Sequence, residues 1–274
     1  FAAWKRRSYL AEALFENLSH VVAQSEIDGQ RFAELGARPV TVSGNLKVDT
    51  TPPPANQQEF ENLKASIAGR PVWAAVSTHD GEEDIAGDVH NLVESRHAGL
   101  LTIIVPRHPD RAPAIVNMLK GKGLNVARRS AGEAITDETQ VYLGDTIGEM
   151  GLYLRLTEIA FVGRSLTSTG GQNPLEPAAL ETAVLAGPNV QNFRDSYKRL
   201  IDDGNARLVK DKEMLAAGVS YLLGNEPVRR KMMEAGVAAV TAMQGSLAKT
   251  MATLEPYIQP LVVKAGLDRL TGKR

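Results

Sequence analysis

One stretch, FVGRSLTSTGGQNPLEP, combines the residue types that a phosphate-binding loop requires. The apolar run Ile159–Val162 predicts a buried parallel strand, and the polar residues after it lead to Gly170 and Gly171. Asn173 and Pro174 then predict the cap and the first residue of a helix. Glycines allow a close approach to a ligand, and unpaired N–H groups at a helix start favour an anion. The stretch therefore predicts a phosphate site.

Glu176 lies in the first turn of this predicted helix and has two interpretations. An acidic side chain near a helix N-terminus stabilises the helix dipole, which is a purely structural role. The same carboxylate is also placed to bind the hydroxyl pair of a nucleotide sugar. The residues alone leave both interpretations open.

Further polar residues follow the other predicted strands, at the carboxyl ends where open parallel sheets bind ligands. They are Ser77, Thr78 and His79 after the first strand, Arg107 and His108 after the second, Asp145 and Thr146 after the fourth, Ser165 after the fifth and Asn192 after the sixth. This convergence predicts a pocket. Structural alternatives stay open, since Ser77 and Thr78 could cap the next helix and Arg107 could pair with Asp110.

Arg107 offers the strongest chemistry of this group, because a guanidinium can hold a phosphate or a carboxylate with two parallel hydrogen bonds. His108 could donate a proton or a hydrogen bond to a leaving phosphate, or it could serve only its own turn. His79 is close to three carboxylates in sequence, yet no second histidine lies at ligand spacing, so a metal centre is not favoured.

Several stretches resemble the 3-deoxy-D-manno-octulosonic acid (Kdo) transferases of lipopolysaccharide synthesis. GGQNPLEPAAL followed by AVLAGPNVQNF is similar to the donor-site signature of that family, and four more stretches agree in order: AQSEIDGQRFAELGA, GNLKVD, STHDGEE and PRHPDR. The resemblance covers nearly the whole chain. It implies a GT-B architecture and an inverting, metal-independent transfer of Kdo from CMP-Kdo to a lipid A precursor, with no cofactor.

The resemblance also implies roles for individual residues. Glu176 would bind the CMP ribose, while Asn173, Gly170 and Gly171 would hold the phosphate and Arg107 would stabilise the leaving group or the Kdo carboxylate. Ser77, Thr78, His108, Ser165 and Asn192 complete the expected donor site. The general base and a membrane anchor belong to an acceptor-binding domain expected before Phe1, so the chain alone is expected to bind donor without turnover. The intact protein is expected at the cytoplasmic face of the bacterial inner membrane.

Two residues depart from the family pattern. Arg164 stands where the family usually has glycine, and Gln172 stands where it usually has histidine. A bulky arginine could narrow the loop or add a phosphate contact, and glutamine can form hydrogen bonds but cannot be protonated. Both departures concern the geometry of the donor rather than the presence of a nucleotide site.

Short apolar runs alternate with helical segments, which predicts a Rossmann-like α/β fold with a parallel sheet. The predicted strands are Val72–Val76, Leu101–Val105, Leu124–Ala127, Gln140–Leu143, Ile159–Val162, Ala183–Ala186 and Ala206–Val209. No G-x-G-x-x-G follows the first strand, so the usual dinucleotide fingerprint is missing. Before them we expect one basic amphipathic helix over Ala2–Leu18, the tail of a preceding domain over residues 1–48, and a linker over residues 49–55. Residues 56–274 are the expected donor domain.

Composition excludes several classes of protein. With 31 Lys+Arg against 32 Asp+Glu, the chain has no basic excess for broad nucleic-acid binding. The absence of cysteine excludes disulfides and thiolate metal sites and fits a reducing compartment. Lys5, Arg6 and Arg7 could contact anionic lipid or form a solvated face. Two alternatives to the leading interpretation remain: another GT-B enzyme that uses a UDP-sugar, including a UDP-GlcNAc 2-epimerase, or a non-catalytic nucleotide-binding module.

Overall fold

The structure is a computed structural model that describes residues 1–271, with side chains described as far as residue 264. The chain forms two units. One contains residues 51–241, and the other contains residues 1–50 together with the chain from Ala242 onward. The division after residue 50 lies inside the predicted linker, while the last helix groups with the first fifty residues. The domain limits given above stay a prediction.

The larger unit is built on a sheet of seven parallel strands in the order β5-β6-β4-β3-β7-β8-β9. The strands are β3 (Val72–Thr78), β4 (Leu101–Pro106), β5 (Val126–Arg128), β6 (Val141–Leu143), β7 (Ile159–Val162), β8 (Ala183–Ala186) and β9 (Ala206–Leu208). All seven predicted strands are confirmed to within two residues at each end. Nearly continuous apolar runs form them because both faces of the sheet are covered, so β4, β7 and β8 are buried along their whole length.

Helices lie before, between and after the strands, except between β5 and β6, and each buries one apolar face. They are α4 (Gln57–Ile67), α5 (Glu82–Glu94), α6 (Ala112–Gly121), α7 (Met150–Arg155), α8 (Leu175–Ala179), α9 (Arg194–Asp202), α10 (Lys212–Gly224) and α11 (Glu226–Met243). In α5, Ala86, Val89 and Val93 recur at helical spacing and enter the main core with Trp73 of β3 and Phe161 of β7. This packing fixes the start of α5 beside the ends of β3 and β7.

The smaller unit contains a pair of parallel strands, β1 (Val21–Ala23) and β2 (Val40–Val42), and the helices α1 (Ala2–Lys5), α2 (Ser8–Phe15), α3 (Glu26–Glu34) and α12 (Ser246–Thr271). The prediction of one helix over Ala2–Leu18 is wrong. The chain leaves the helical path at Arg7, which has φ −120° and ψ 48° and bonds back only three residues to Trp4. Ser25 caps α3 as its sequence pattern indicates, because its Oγ accepts the Asp28 N–H at 3.1 Å.

The GNLKVD segment ends at Asp49, which caps α12 from a distant part of the sequence. Its two carboxylate oxygens accept the N–H groups of Gly245 (2.7 Å) and Leu247 (2.5 Å). The segment therefore has a structural role in the smaller unit. Among the described residues, no helix has both the length and the apolar character needed to cross a membrane.

Candidate functional site

The predicted polar loops meet at the carboxyl ends of the central strands β3, β4, β7 and β8. Adjacent strands β3 and β7 pair Val76 with Val162, so the residues that follow them leave the sheet side by side. Ser77 (φ 53°) and Arg164 (φ 56°) both occupy the left-handed region, which non-glycine residues rarely adopt. Such strain is typical of functional sites, where the surrounding contacts enforce it. The usual glycine of the resembling family at position 164 fits this backbone geometry directly.

Arg107 and His108 extend from the end of β4 and are exposed. The predicted alternative of an Arg107–Asp110 pair is wrong, and within residues 1–264 no hydrogen bond or ion pair holds the Arg107 side chain. Arg111 instead forms the ion pairs of this loop. The His108 ring packs edge-on against His79 with the centroids 5.6 Å apart. A free guanidinium and two imidazoles thus border the mouth of the β3 and β4 loops.

The glycine pair has the backbone geometry that only glycine adopts easily, with φ 121° at Gly170 and 76° at Gly171. Its amides, however, are not unpaired as predicted. The Gly170 N–H donates to Gln191 Oε1 (3.1 Å) and the Gly171 N–H donates to the Arg164 carbonyl (2.8 Å). A Cβ on Gly170 would lie 2.6 Å from Asn192 Nδ2. The pair therefore allows the β7 loop to approach residues 189–192 closely, and its two N–H groups are already used within the protein.

Asn173 holds the start of α8 through both ends of its amide. Its Oδ1 accepts the Leu175 N–H (3.1 Å), and its Nδ2 donates to Glu176 Oε1 (3.0 Å). The Asn173 side chain caps the first turn of α8, but the predicted N-cap position is wrong by one residue, because α8 begins at Leu175 and Pro174 occupies the N-cap position. Among the described residues, the second Glu176 oxygen has no hydrogen-bond partner, and the side chain is half-buried. It can accept hydrogen bonds from a ligand.

Two other predicted donor-binding side chains face the protein interior. Ser165 is fully buried, and its hydroxyl donates to the Val162 carbonyl (2.6 Å) and accepts the Gly187 N–H (2.8 Å). Thr78 is also fully buried and donates to Glu83 Oε1 (2.9 Å). Both hydroxyls are already used within the loops. Their contribution to a site is to shape its walls.

Glu82, one of the carboxylates that follow His79 in sequence, is a residue of the site that the sequence pattern does not reveal. Glu82 is 1% exposed, and its carboxylate accepts four backbone N–H groups. They belong to His79 (2.9 Å), Arg164 (2.7 Å), Ser165 (2.8 Å) and Leu166 (3.0 Å). No group of three or more potential metal ligands occurs in the part of the chain that the structure describes. Glu82 joins the β3 loop to the β7 loop.

Asp145, after β6, forms its own buried network. It accepts hydrogen bonds from Arg128 Nε (2.5 Å) and from both the N–H (2.8 Å) and the hydroxyl (2.6 Å) of Ser130. Burial alone would raise the pKa of Asp145, but these hydrogen bonds and the Arg128 charge hold it below its ordinary value. Asp145 thus orders the β5 and β6 loops at the edge of the candidate site.

Comparison with known proteins gives consistent matches. A family model described as 3-deoxy-D-manno-octulosonic-acid transferase matches residues 1–50. The 3-deoxy-D-manno-octulosonic acid transferase of Bordetella pertussis is 34% identical over 93% of this chain and 61% of its own length. The C-terminal CMP-Kdo binding domain of WaaA from Acinetobacter baumannii is 28% identical, with a TM-score of 0.64 over 67% of this chain and 96% of that domain.

A glycosyltransferase from Rickettsia africae shares the fold at 16% identity, with a TM-score of 0.59 over 93% of this chain and 67% of that one. Together with the seven-stranded parallel sheet, this likeness identifies the architecture as GT-B-type. The chain spans about three fifths of the length of two of its curated relatives, at 59% and 61%.

Proposed function

We propose, since the chain belongs to the family of 3-deoxy-D-manno-octulosonic acid (Kdo) transferases, that it is the donor-binding part of an enzyme that transfers Kdo from CMP-Kdo to a lipid A precursor. The observation that carries the proposal is the meeting of Arg107, His108, Asn173 and Glu176 at one edge of the sheet. A free guanidinium and a free carboxylate oxygen suit a nucleotide with one phosphate and a ribose. The A. baumannii domain with the same fold is described as binding CMP-Kdo.

In the proposed reaction, an acceptor hydroxyl attacks the anomeric carbon of Kdo while the bond from that carbon to the CMP phosphate breaks. The electron pair of that bond stays on the phosphate, and the acceptor proton goes to a general base. Arg107 stabilises the charge that develops on the phosphate or binds the Kdo carboxylate, and His108 donates a hydrogen bond nearby. No step needs a metal ion, and inversion follows from attack on the face opposite to CMP.

The donor contacts in this proposal follow the free groups of the site. Glu176 accepts hydrogen bonds from the ribose hydroxyls, and Asn173 positions it. Gly170 and Gly171 let the β7 loop pack closely against Val190 and Asn192, and this packed turn borders the phosphate. Ser77, at the strained end of β3, offers a hydroxyl that has no partner among the described residues. Ser165 and Thr78 support the walls.

No residue named above is assigned as the general base or to the acceptor site, because in the resembling family both belong to the acceptor-binding domain. We therefore expect the 274-residue chain to bind donor without turnover. The complete enzyme would act at the cytoplasmic face of the inner membrane, where a lipid A precursor presents its hydroxyl.

Calorimetric titration of the chain with CMP, cytidine, UMP and UDP tests the proposal. CMP should bind most tightly. Arg107→Gln should weaken CMP by about 10- to 100-fold, the equivalent of one charged hydrogen-bonded contact, and should leave cytidine almost unchanged. Arg96→Gln is the matched control, because Arg96 is also exposed but follows α5 at the opposite edge of the sheet.

A preference for UMP or UDP would contradict the proposal and favour an enzyme that uses a UDP-sugar. Equal binding of CMP by the parent and by an Asn173→Ala, Glu176→Ala double variant would refute the assignment of the site. In that case the nucleotide would have to bind at another site on the chain.

A further inference from the structure

Glu82 occupies a position that no ligand contact explains. It is a carboxylate in the first turn of α5, almost fully buried, at the junction of two loops that are far apart in sequence. Burying a charged group is costly unless hydrogen bonds replace the lost water. Here four backbone N–H groups do so, and the acceptor-only chemistry of a carboxylate matches four donors.

Three of the four N–H groups belong to the β7 loop, and the fourth belongs to the β3 loop. Oε1 accepts the N–H groups of Ser165 and Leu166, and Oε2 accepts those of Arg164 and His79. Gly163 makes room for this arrangement, because a Cβ at that position would lie 2.7 Å from Glu82 Oε2. The carboxylate therefore fits a space that the neighbouring glycine leaves open.

The bonds to Glu82 act at the start of the loop that leads to Asn173. Arg164, held by Glu82 in the left-handed region, presents its carbonyl to the Gly171 N–H (2.8 Å), and Gly163 presents its own to the Gln172 N–H (3.2 Å). These two bonds close the loop immediately before Asn173. The position of the Asn173–Glu176 pair thus depends on a backbone turn that Glu82 stabilises.

A second contact between the same loops makes the junction stiffer. The Thr167 hydroxyl donates to the Asp80 carbonyl (2.7 Å), and Thr167 lies against Gly81. At the other end of the β7 loop, the Tyr197 hydroxyl donates to the Gln172 carbonyl (3.3 Å). Burial, and then the nearby charge of Glu82, raise the pKa of this hydroxyl. Each end of the loop is therefore anchored in the interior close to Glu82.

We propose that Glu82 is a positioning residue for nucleotide binding: its buried carboxylate holds the β7 loop in the conformation that places Asn173 and Glu176 for the donor. This inference rests on the proposed function for its ligand, while the loop geometry stands without it. Glu82 touches no part of the donor in this proposal and acts only through the backbone.

Glu82→Gln keeps the shape of the side chain and removes half of its acceptor capacity. A glutamine oxygen can still accept two N–H groups, but its NH2 group then faces the other two. Affinity for CMP should fall by at least about tenfold, as expected when two buried donors lose their partner. Backbone amide hydrogen exchange at residues 164–166 should become faster in the ligand-free variant.

Asn205→Ala serves as the control for general destabilisation. Asn205 is fully buried and donates to the carbonyls of Thr182 (3.0 Å) and Met232 (2.9 Å), at the amino ends of β8 and β9. Asn205→Ala should lower the midpoint temperature of unfolding. CMP affinity and amide hydrogen exchange at residues 164–166 should stay as in the parent. A drop in CMP affinity that followed thermal stability equally in both variants would overturn the inference.

If Glu82→Gln does not fold, backbone amide hydrogen exchange in the parent protein still tests the inference. Amides 164–166 should be protected there, whereas those of Thr167 and Ser168, which have no partner among the described residues, should exchange quickly. Equal exchange rates would overturn the inference. If the parent does not bind CMP, the proposed function fails, and faster exchange at 164–166 in Glu82→Gln would still support the positioning role.

Discussion

Gly163→Ala should be among the most destabilising single-methyl changes in this chain. The added Cβ would lie 2.6 Å from the Ser77 carbonyl oxygen, 2.7 Å from the Thr78 Cα and 2.7 Å from Glu82 Oε2. Two of these neighbours are backbone atoms of β3, which cannot rotate away. Gly163 does not have a positive φ, so the backbone conformation itself would accept alanine. The whole cost is therefore steric and electrostatic.

The magnitude follows from two contributions. Forcing a methyl group into a filled site costs about 1–3 kcal/mol. Displacing the Glu82 carboxylate weakens at least one charged hydrogen bond, which adds about 1.5–3 kcal/mol. We expect the free energy of unfolding to fall by about 2.5–6 kcal/mol, and we expect weaker CMP binding because the β7 loop moves.

Urea unfolding monitored by circular dichroism measures this change, with Gly121→Ala as the control. Gly121 ends α6, has no positive φ, and a Cβ there would meet nothing within 4 Å. The control should be neutral or more stable by up to about 1 kcal/mol, because alanine restricts the unfolded chain. A Gly163→Ala protein within about 0.5 kcal/mol of the parent would refute the steric argument and, with it, the close fit of Glu82.

Three other changes test separate parts of the chain. Asp49→Ala removes the carboxylate that accepts the Leu247 N–H, so unfolding free energy should fall by about 1–2 kcal/mol in urea titrations. Burial lowers the pKa of His90 in the folded protein despite the nearby Glu94 charge. The free energy of unfolding should therefore be highest above about pH 6.5, the ordinary histidine pKa, and should decline as the pH falls below that value. His90→Gln should show a flatter decline between about pH 7.5 and 5. Arg164→Gly removes the hydrogen bond from Arg164 Nε to the Thr169 carbonyl (3.1 Å) but relieves left-handed strain, so thermal unfolding should place the variant within about 1 kcal/mol of the parent.

The sequence predicts the sheet well because its central strands are buried on both faces. Such strands read as short apolar runs whatever their neighbours are, so the pattern alone locates them. The helix at the N-terminus was less predictable. Its apolar spacing continues through Arg7, and only the backbone turn to Trp4 divides it into α1 and α2. The periodicity of residue types does not reveal such a break in the backbone.

The candidate site is only partly predictable for a different reason. Ser77 and Thr78 are similar polar residues at the end of β3, yet the register shifts between Val76 and Thr78. Ser77 therefore turns into the left-handed region, while Thr78 points into the core. Residue type gives no sign of this bulge. The same limit applies to Ser165, whose polar character suggests a ligand contact but whose hydroxyl joins the ends of β7 and β8.

Glu82 illustrates the largest gap between pattern and structure. Its partners Arg164, Ser165 and Leu166 lie more than eighty positions away in sequence, and they bond through backbone amides, which carry no residue signature. What the sequence does contain is an acidic residue at a helix start beside a glycine, a combination that also serves ordinary capping. The groups that shape the candidate site are thus mostly buried and bonded to backbone. The groups left for a ligand are few: Arg107, His108, the Ser77 hydroxyl and one oxygen of Glu176. Donor affinity in such a site should depend as much on how the loops are held as on the residues that touch the nucleotide.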